Sequence, residues 1–366
     1  MISGSLNVPQ FFFRPSRKDL ARFLAVRIPL TLLFATVLYR LGQYDWILPY
    51  SGDGHYTEEL AEKDWVVLMH SSLTTLMHKC VYTLLKPWGW TAWKSVMVSS
   101  SLAGGMALQV LYAIRRHPAF LAINILSGSF LVFVGEVENY AWVNLFLLWT
   151  FLAVERFLER KWPFWPAAVF FFTAALFHML ALFYLPALFW VMYQQDDFKP
   201  WEFAGPFLLF VFLSIGIMVI FPREGPDLNL GRLVPLFQIN RKGQFFTLFS
   251  PAHLELLLYF HRQAGLLRMI PVSWIVLILF FRRIETPFHK YLLIGSLTGL
   301  GWTTVWHPDL GRLDWDLFSQ MYIPFNVLAG LLISGRPNEW RFFECLKKRI
   351  PHIRRKKNGE TGPVSL

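Results

Sequence analysis

The sequence predicts an all-α, polytopic membrane protein of about ten transmembrane helices, with interfacial helices in its first polar loop. Three observations lead there. Of 366 residues 55% are hydrophobic, with 36 Phe and 16 Trp but only 16% charged, a composition too apolar for an ordinary soluble domain. Apolar windows long enough to span recur near 24–41, 92–114, 118–135, 140–158, 163–177, 179–193, 203–221, 265–281, 289–306 and 320–335. The formal charge of +11 is concentrated in the two termini and in short connections, which a positive-inside bias explains better than nucleic-acid binding.

Residues 1–23 form a basic N-terminal segment with no small-residue cleavage site after the first apolar run, so 24–41 reads as a retained helix. The pair 163–177 and 179–193 is joined at His178. Taken as two spans broken there, it places Arg115, Arg116, Arg156, Arg160, Lys161, Lys199, Arg282, Arg283, Lys290 and the basic tail 336–366 on one side with the N-terminus. That side is cytoplasmic. One continuous span would instead send Arg282, Arg283 and the tail outside. The spans and their loops occupy 24–335. Cys80 and Cys345 fall on opposite sides, so no disulfide is expected.

The outer face then receives four segments: the first outer loop 42–90, the turn GEVENYAW at 135–142, the long outer loop 222–264 and the last outer loop 306–320. Asp53, between Gly52 and Gly54, is free of neighbouring side chains and suits a general base, a metal ligand or a turn aspartate. His55 follows it. Glu136 and Glu138 crowd into a turn between apolar spans, where carboxylates are costly unless hydrated or partnered, so a functional role is the default. His178, among apolar residues, suits either a polar substrate or a helix break. In the long loop, Arg232 and Arg241 sit on the side that should be poor in cations and point to an anionic ligand. Ser250 and Pro251 read as the start of a helix with His253 in its first turn. In the last loop, Asp309, Arg312, Asp314 and Asp316 are candidates for substrate binding. The Asp314–Trp315–Asp316 spacing leaves a divalent metal open as an alternative, and no other cofactor is called for.

SGDGHYTEEL followed by HSSLTTLMHKCVYTLL, then GEVENYAW, LFHMLALFYLPAL, FSPAHLELL and PDLGRLDWDLF resemble the GT-C superfamily of integral-membrane glycosyltransferases, whose protein O-mannosyltransferases and aminoarabinose transferases are similar in plan. The resemblance implies a bacterial inner-membrane enzyme of the cell envelope, with both termini cytoplasmic and an extracytoplasmic active site. It implies an inverting transfer of a sugar from a polyprenyl-phosphate donor to a lipid, glycan or protein hydroxyl. Asp53 would take the place of the catalytic base, and Arg232 or Arg241 would meet the developing phosphate charge. A flippase for a lipid-linked glycan and a catalytically silent subunit are the alternatives. A transporter should carry ionisable residues near mid-span, whereas here they cluster at outer ends and loops.

Overall fold

Long apolar runs, punctuated by Ser, Thr or His caps and by proline, set the helices of this chain. The computed structural model describes residues 17–44, 54–195, 198–224, 247–306, 312 and 315–335, with side chains from 25 onward. The chain divides into a unit over Met1–Ile333 and a second over Ser334–Leu366, of which only Ser334 and Gly335 are described. The α-helices are α1 (Arg17–Gly42), α2 (Gly54–Glu62), α3 (Ser72–Leu85), α4 (Ala92–Ile114), α5 (Pro118–Ile125), α6 (Ala141–Leu158), α7 (Trp165–Phe177), α8 (Leu185–Tyr193), α9 (Trp201–Ile220), α10 (Pro251–Gln263), α11 (Val272–Phe280), α12 (Pro287–Val305), α13 (Trp315–Ser319) and α14 (Ile323–Ser334). Their starts follow elementary capping. Thr91, Ser250 and Thr286 accept from the backbone N–H three residues on, with Pro251 and Pro287 at positions where a missing N–H costs nothing.

Among the described residues five helical stretches are long and apolar enough to cross a membrane: Ala25–Gly42, Ala92–Ile114, Ala141–Leu158, Trp201–Ile220 and Trp315–Ser334. Trp165–Phe177 and Met179–Tyr193 are shorter apolar helices, and the break between them falls at His178 as expected. Two windows differ from continuous helices. The run 118–135 is α5 followed by a 3₁₀ segment, Gly128–Phe133, and 265–281 is a loop, the nine-residue α11 and a 3₁₀ turn, Phe281–Arg283.

The two interruptions meet. Gly128 N–H donates to Gly265 O at 2.8 Å and Leu267 N–H to Leu126 O at 2.7 Å, so each broken segment satisfies the backbone groups that the other exposes. Asn326 on α14 pins the junction, donating to Ser129 Oγ at 2.6 Å and accepting from Ser273 Oγ at 2.5 Å. Gly128 makes the approach feasible, because a Cβ there would run into the backbone carbonyl of Gln263.

The bundle has two chemically distinct ends. At one, Arg156 at the C-terminus of α6 donates to Ala113 O of α4 and pairs with Glu159, and Glu202 of α9 accepts from Phe164 N at 2.5 Å. Arg115 and Lys161 lie within electrostatic reach of Glu155 at the same end. At the other end lie the last residue of α1, the start of α4, the turn before α6 and the C-terminus of α7. A two-residue strand β1 (Val67–Leu68) pairs in parallel with β2 (Arg223–Glu224), tying the first polar loop to the end of α9. Lys63 reinforces this tie with Glu224 at 2.5 Å and Glu59 at 2.8 Å.

Gly128→Ala is expected to lower stability by about 1–3 kcal/mol, since the obstructing atom is backbone and cannot rotate away. Thermal unfolding of the purified protein in detergent measures it. An unchanged Tm would mean that the two broken segments do not pack this closely.

Candidate functional site

The turn at 134–140 is the centre of the polar end. Gly135 reverses the chain at φ 75°, a left-handed conformation that suits glycine. Glu136 and Glu138 are then only 3% and 4% exposed, so these carboxylates are not the solvated loop acids that a surface turn would carry. A buried turn has no ladder to hold its carbonyls, and side chains of two helices do so instead. Ser100 Oγ of α4 donates to Glu136 O at 2.7 Å, and His78 Nε2 of α3 lies 3.2 Å from Glu138 O. Thr74 Oγ1 bonds Phe177 O at 2.7 Å and lies 3.4 Å from Asn139 O.

Chemistry fixes the direction of the His78 chain. A carbonyl only accepts, so Nε2 carries the proton, and Nδ1 of the neutral ring accepts from Ser99 Oγ at 3.2 Å. Ser99 Oγ in turn accepts from Trp142 Nε1 at 2.9 Å. Burial pushes the His78 imidazole down to about 4, opposed by its bond to the Glu138 carbonyl.

Three further elements border the turn. The α7 break puts His178 in an extended conformation, its Nδ1 accepting from Leu180 N at 3.2 Å. Its ring lies 5.3 Å from His70 and 5.4 Å from Tyr140, and His70 O accepts from Met179 N. Gly54, bonded to Asp53 in the sequence, abuts the turn, since a Cβ there would sit 3.1 Å from Val137 O. His55 is exposed, pairs with Glu58 at 3.6 Å and lies 5.7 Å from the Trp93 ring.

A second group forms where α10, α12 and α13 converge. His253 Nε2 donates to Thr304 O at 2.8 Å, and its backbone N–H is capped by Ser250. Buried Asp316 accepts from Leu317 N, while exposed Arg312 pairs with Glu255. Arg268 joins the two groups. It follows Leu267 in two successive left-handed residues, at φ 51° and 58°, an arrangement stored where surrounding structure dictates it. Its Nε donates to Gln263 Oε1 at 2.6 Å and its guanidinium lies 4.8 Å over the Trp315 ring. It also bonds Tyr259 and lies within electrostatic reach of Glu136.

No protein family, curated protein or solved structure matches the chain.

Of the residues singled out from sequence, Glu136 and Glu138 lie in one turn with the His178 ring beside Tyr140, His55 is exposed against Glu58 and Trp93, and His253, Arg312 and Asp316 belong to the second group. Asp53, Arg232, Arg241, Asp309 and Asp314 lie outside the described residues. Among the described residues no group of three or more His, Cys, Asp or Glu is placed to hold a metal ion. Sequence reasoning passed over Arg268, although a cation inside the apolar window 265–281 is itself a signal. His70 and His78 count in the sequence only as part of the polar first outer loop, because their individual importance rests on partners far away in the chain.

The depressed His78 value makes stability depend on pH. Between its unfolded value near 6.5 and about 4, the unfolded chain binds a proton that the native ring does not, so stability falls as pH drops through that window. Half-buried His261 on α10 is likewise pushed down to about 4 by desolvation and acts in the same direction. Tm is expected to fall from pH 6.5 to 4, and His78→Gln to remove about one histidine's share of the slope, on the order of 3 kcal/mol over the window. An identical slope in the variant would show that His78 is not held neutral.

Proposed function

We propose that the protein is an inverting glycosyltransferase of a bacterial plasma membrane, crossing it about ten times with both termini in the cytoplasm and its acid-bearing end outside. The observation that supports this reading is the clamped turn: two buried carboxylates, Glu136 and Glu138, with Arg268 in reach and the residue after Asp53 packed against the turn. Buried acids at the end of an apolar bundle are expensive, and function is the usual reason they persist.

In this reading the donor is a polyprenyl-phosphate sugar and the acceptor a hydroxyl of a lipid, glycan or protein. Asp53 takes the acceptor proton as its oxygen attacks the anomeric carbon. The sugar–phosphate C–O bond breaks with inversion, and the electron pair leaves on the lipid phosphate. Arg268, together with Arg232 and Arg241 of the long loop, meets that growing charge. Glu136 and Glu138 orient the sugar and keep the guanidinium of Arg268 in place. His178 and His70 line the acceptor side.

One observation favours a flippase as the second reading. Paired helix interruptions, as at 126–128 and 264–271, are a feature of membrane transporters.

Release of lipid phosphate from a panel of polyprenyl-phosphate sugars by protein in nanodiscs separates the readings. Asp53→Asn is expected to lower turnover by about 100-fold or more, and Arg268→Gln by about 100-fold. Full turnover in Asp53→Asn would overturn the base assignment and move it to Glu136 or Glu138. Absence of turnover with every donor, combined with lipid-linked sugar crossing a proteoliposome membrane, would establish the second reading instead.

A further inference from the structure

The junction of the two broken segments holds a small polar space. A cavity of about 20 Å³ is lined by Asn124, Ser127, Ser129 and Asn326, together with apolar side chains of α4, α6 and α14. All four polar residues are buried. The space suffices for one water molecule or for one ion stripped of most of its water.

What the cavity can hold follows from where the protons are. A carbonyl only accepts, so Ser127 commits its hydroxyl proton to Asn124 O at 2.7 Å, and Ser129 is the donor in its 3.0 Å contact with Ser127 Oγ. Asn326 Nδ2 donates to Ser129 Oγ at 2.6 Å and has Ala264 O at 3.5 Å for its other proton, which fixes the orientation of the amide. Its Oδ1 accepts from Ser273 Oγ at 2.5 Å. One N–H of Asn124 is taken by Phe120 O at 2.9 Å. The side-chain protons of Ser127, Ser129 and Asn326 are therefore all in use, while each of their oxygens keeps a lone pair. A lining with spare acceptors and hardly a spare donor repels an anion and suits a cation.

The surrounding backbone adds to this. Helix α5 ends at Ile125 and α10 at Gln263, and the two ends meet, since a Cβ on Gly128 would run into the Gln263 carbonyl. The C-terminal end of a helix carries partial negative charge, and such ends, with unwound carbonyls, coordinate sodium in membrane proteins. Arg268 also passes Gly128, but its charge is held by Gln263 and over Trp315, neither of which lines the cavity. Among the described lining residues none is a carboxylate, so the site matches one positive charge and not two.

We propose that this cavity binds one sodium ion, held by Ser127 Oγ, Ser129 Oγ and Asn326 Oδ1. The ion ties the first interruption to α14 and, through the Asn326 amide, to Ala264 of the second. The proposal rests on neither functional reading, because it needs no sugar, no lipid and no transport.

Amide hydrogen exchange of the full chain in nanodiscs, read by mass spectrometry in sodium, potassium or choline chloride at equal ionic strength, tests it. An ion that binds only the closed junction slows exchange of the amides it covers by the factor 1 + [Na⁺]/Kd. Peptides carrying Gly128 and Leu267, whose N–H groups bond across the junction, are expected to exchange about tenfold more slowly in about 0.5 M sodium than in choline, and potassium to have little effect. Peptides of α9 are expected to be unchanged. Ser127→Cys keeps the shape of the side chain while exchanging a hard oxygen for a soft sulfur, and is expected to abolish the sodium effect, whereas Ser127→Thr retains it. The comparison of salts on the parent chain decides even where a variant fails to fold.

Equal exchange in the three salts would overturn the proposal and leave water as the occupant. Potassium as effective as sodium, a slowing shared by α9, or a full sodium effect in Ser127→Cys would overturn it as well.

Discussion

Everything at the polar end depends on pairing backbone groups where no water is available to do it. A helix satisfies its own N–H and C=O groups, and each interruption in an apolar bundle leaves several that need other partners. The chain meets this need in three different ways. At 126–128 and 264–271 two interruptions bond each other. At His178 the imidazole caps the segment that follows. At 134–140 the hydroxyls and imidazole of Ser100, Thr74 and His78 reach the carbonyls. The third solution leaves two carboxylates, Glu136 and Glu138, with a rigid backbone beneath them. That is what a preorganised site needs, because a carboxylate on a loose loop would spend binding energy on its own ordering.

Much of the fold was legible because apolar length and capping are local properties. The windows at 24–41, 92–114, 140–158 and 203–221 correspond to α1, α4, α6 and α9 within a few residues, and the break at His178 falls where a polar residue interrupts an apolar run. The interruptions within 118–135 and 265–281 were harder to read. Each carries hints, Ser127–Gly128–Ser129 in one and Gly265 in the other, but small residues are also tolerated inside membrane helices. What decides the matter is that the two segments lie side by side, a contact across more than a hundred residues that no local pattern encodes.

The same division runs through the site. Glu136, Glu138 and His253 stood out because charge or capping chemistry sat in an apolar or helix-starting context, and the structure buries all three. His78, Arg268 and His261 did not, because their roles depend on what they touch. His78 acts through a carbonyl 60 residues away. The tautomer of His261 is set by Trp274 and by Tyr322 from another helix. Arg268 looks like a boundary cation until Trp315, Gln263 and Glu136 are found around it. Sequence patterns identify residues that are anomalous where they stand. They are silent on residues that become important through tertiary partners.

The two halves of the polar end also differ mechanically, and the difference fits a division of labour. The acid turn is buried and held by donors from α3 and α4, so its geometry is fixed before any ligand arrives. The groove of about 860 Å³ between α10 and α11 is walled by exposed Leu258, Met269 and Ile278, apolar side chains with no hydrogen bonds to fix them. Between them stand Tyr259 and the strained Leu267–Arg268 backbone. Two consecutive left-handed residues cost of order 1–3 kcal/mol each, and the contacts of Arg268 to Gln263, Trp315 and Tyr259 offset that cost while keeping its charge turned toward Glu136. Loss of the Trp315 or Tyr259 contact would let the loop relax and carry the cation away from the carboxylate.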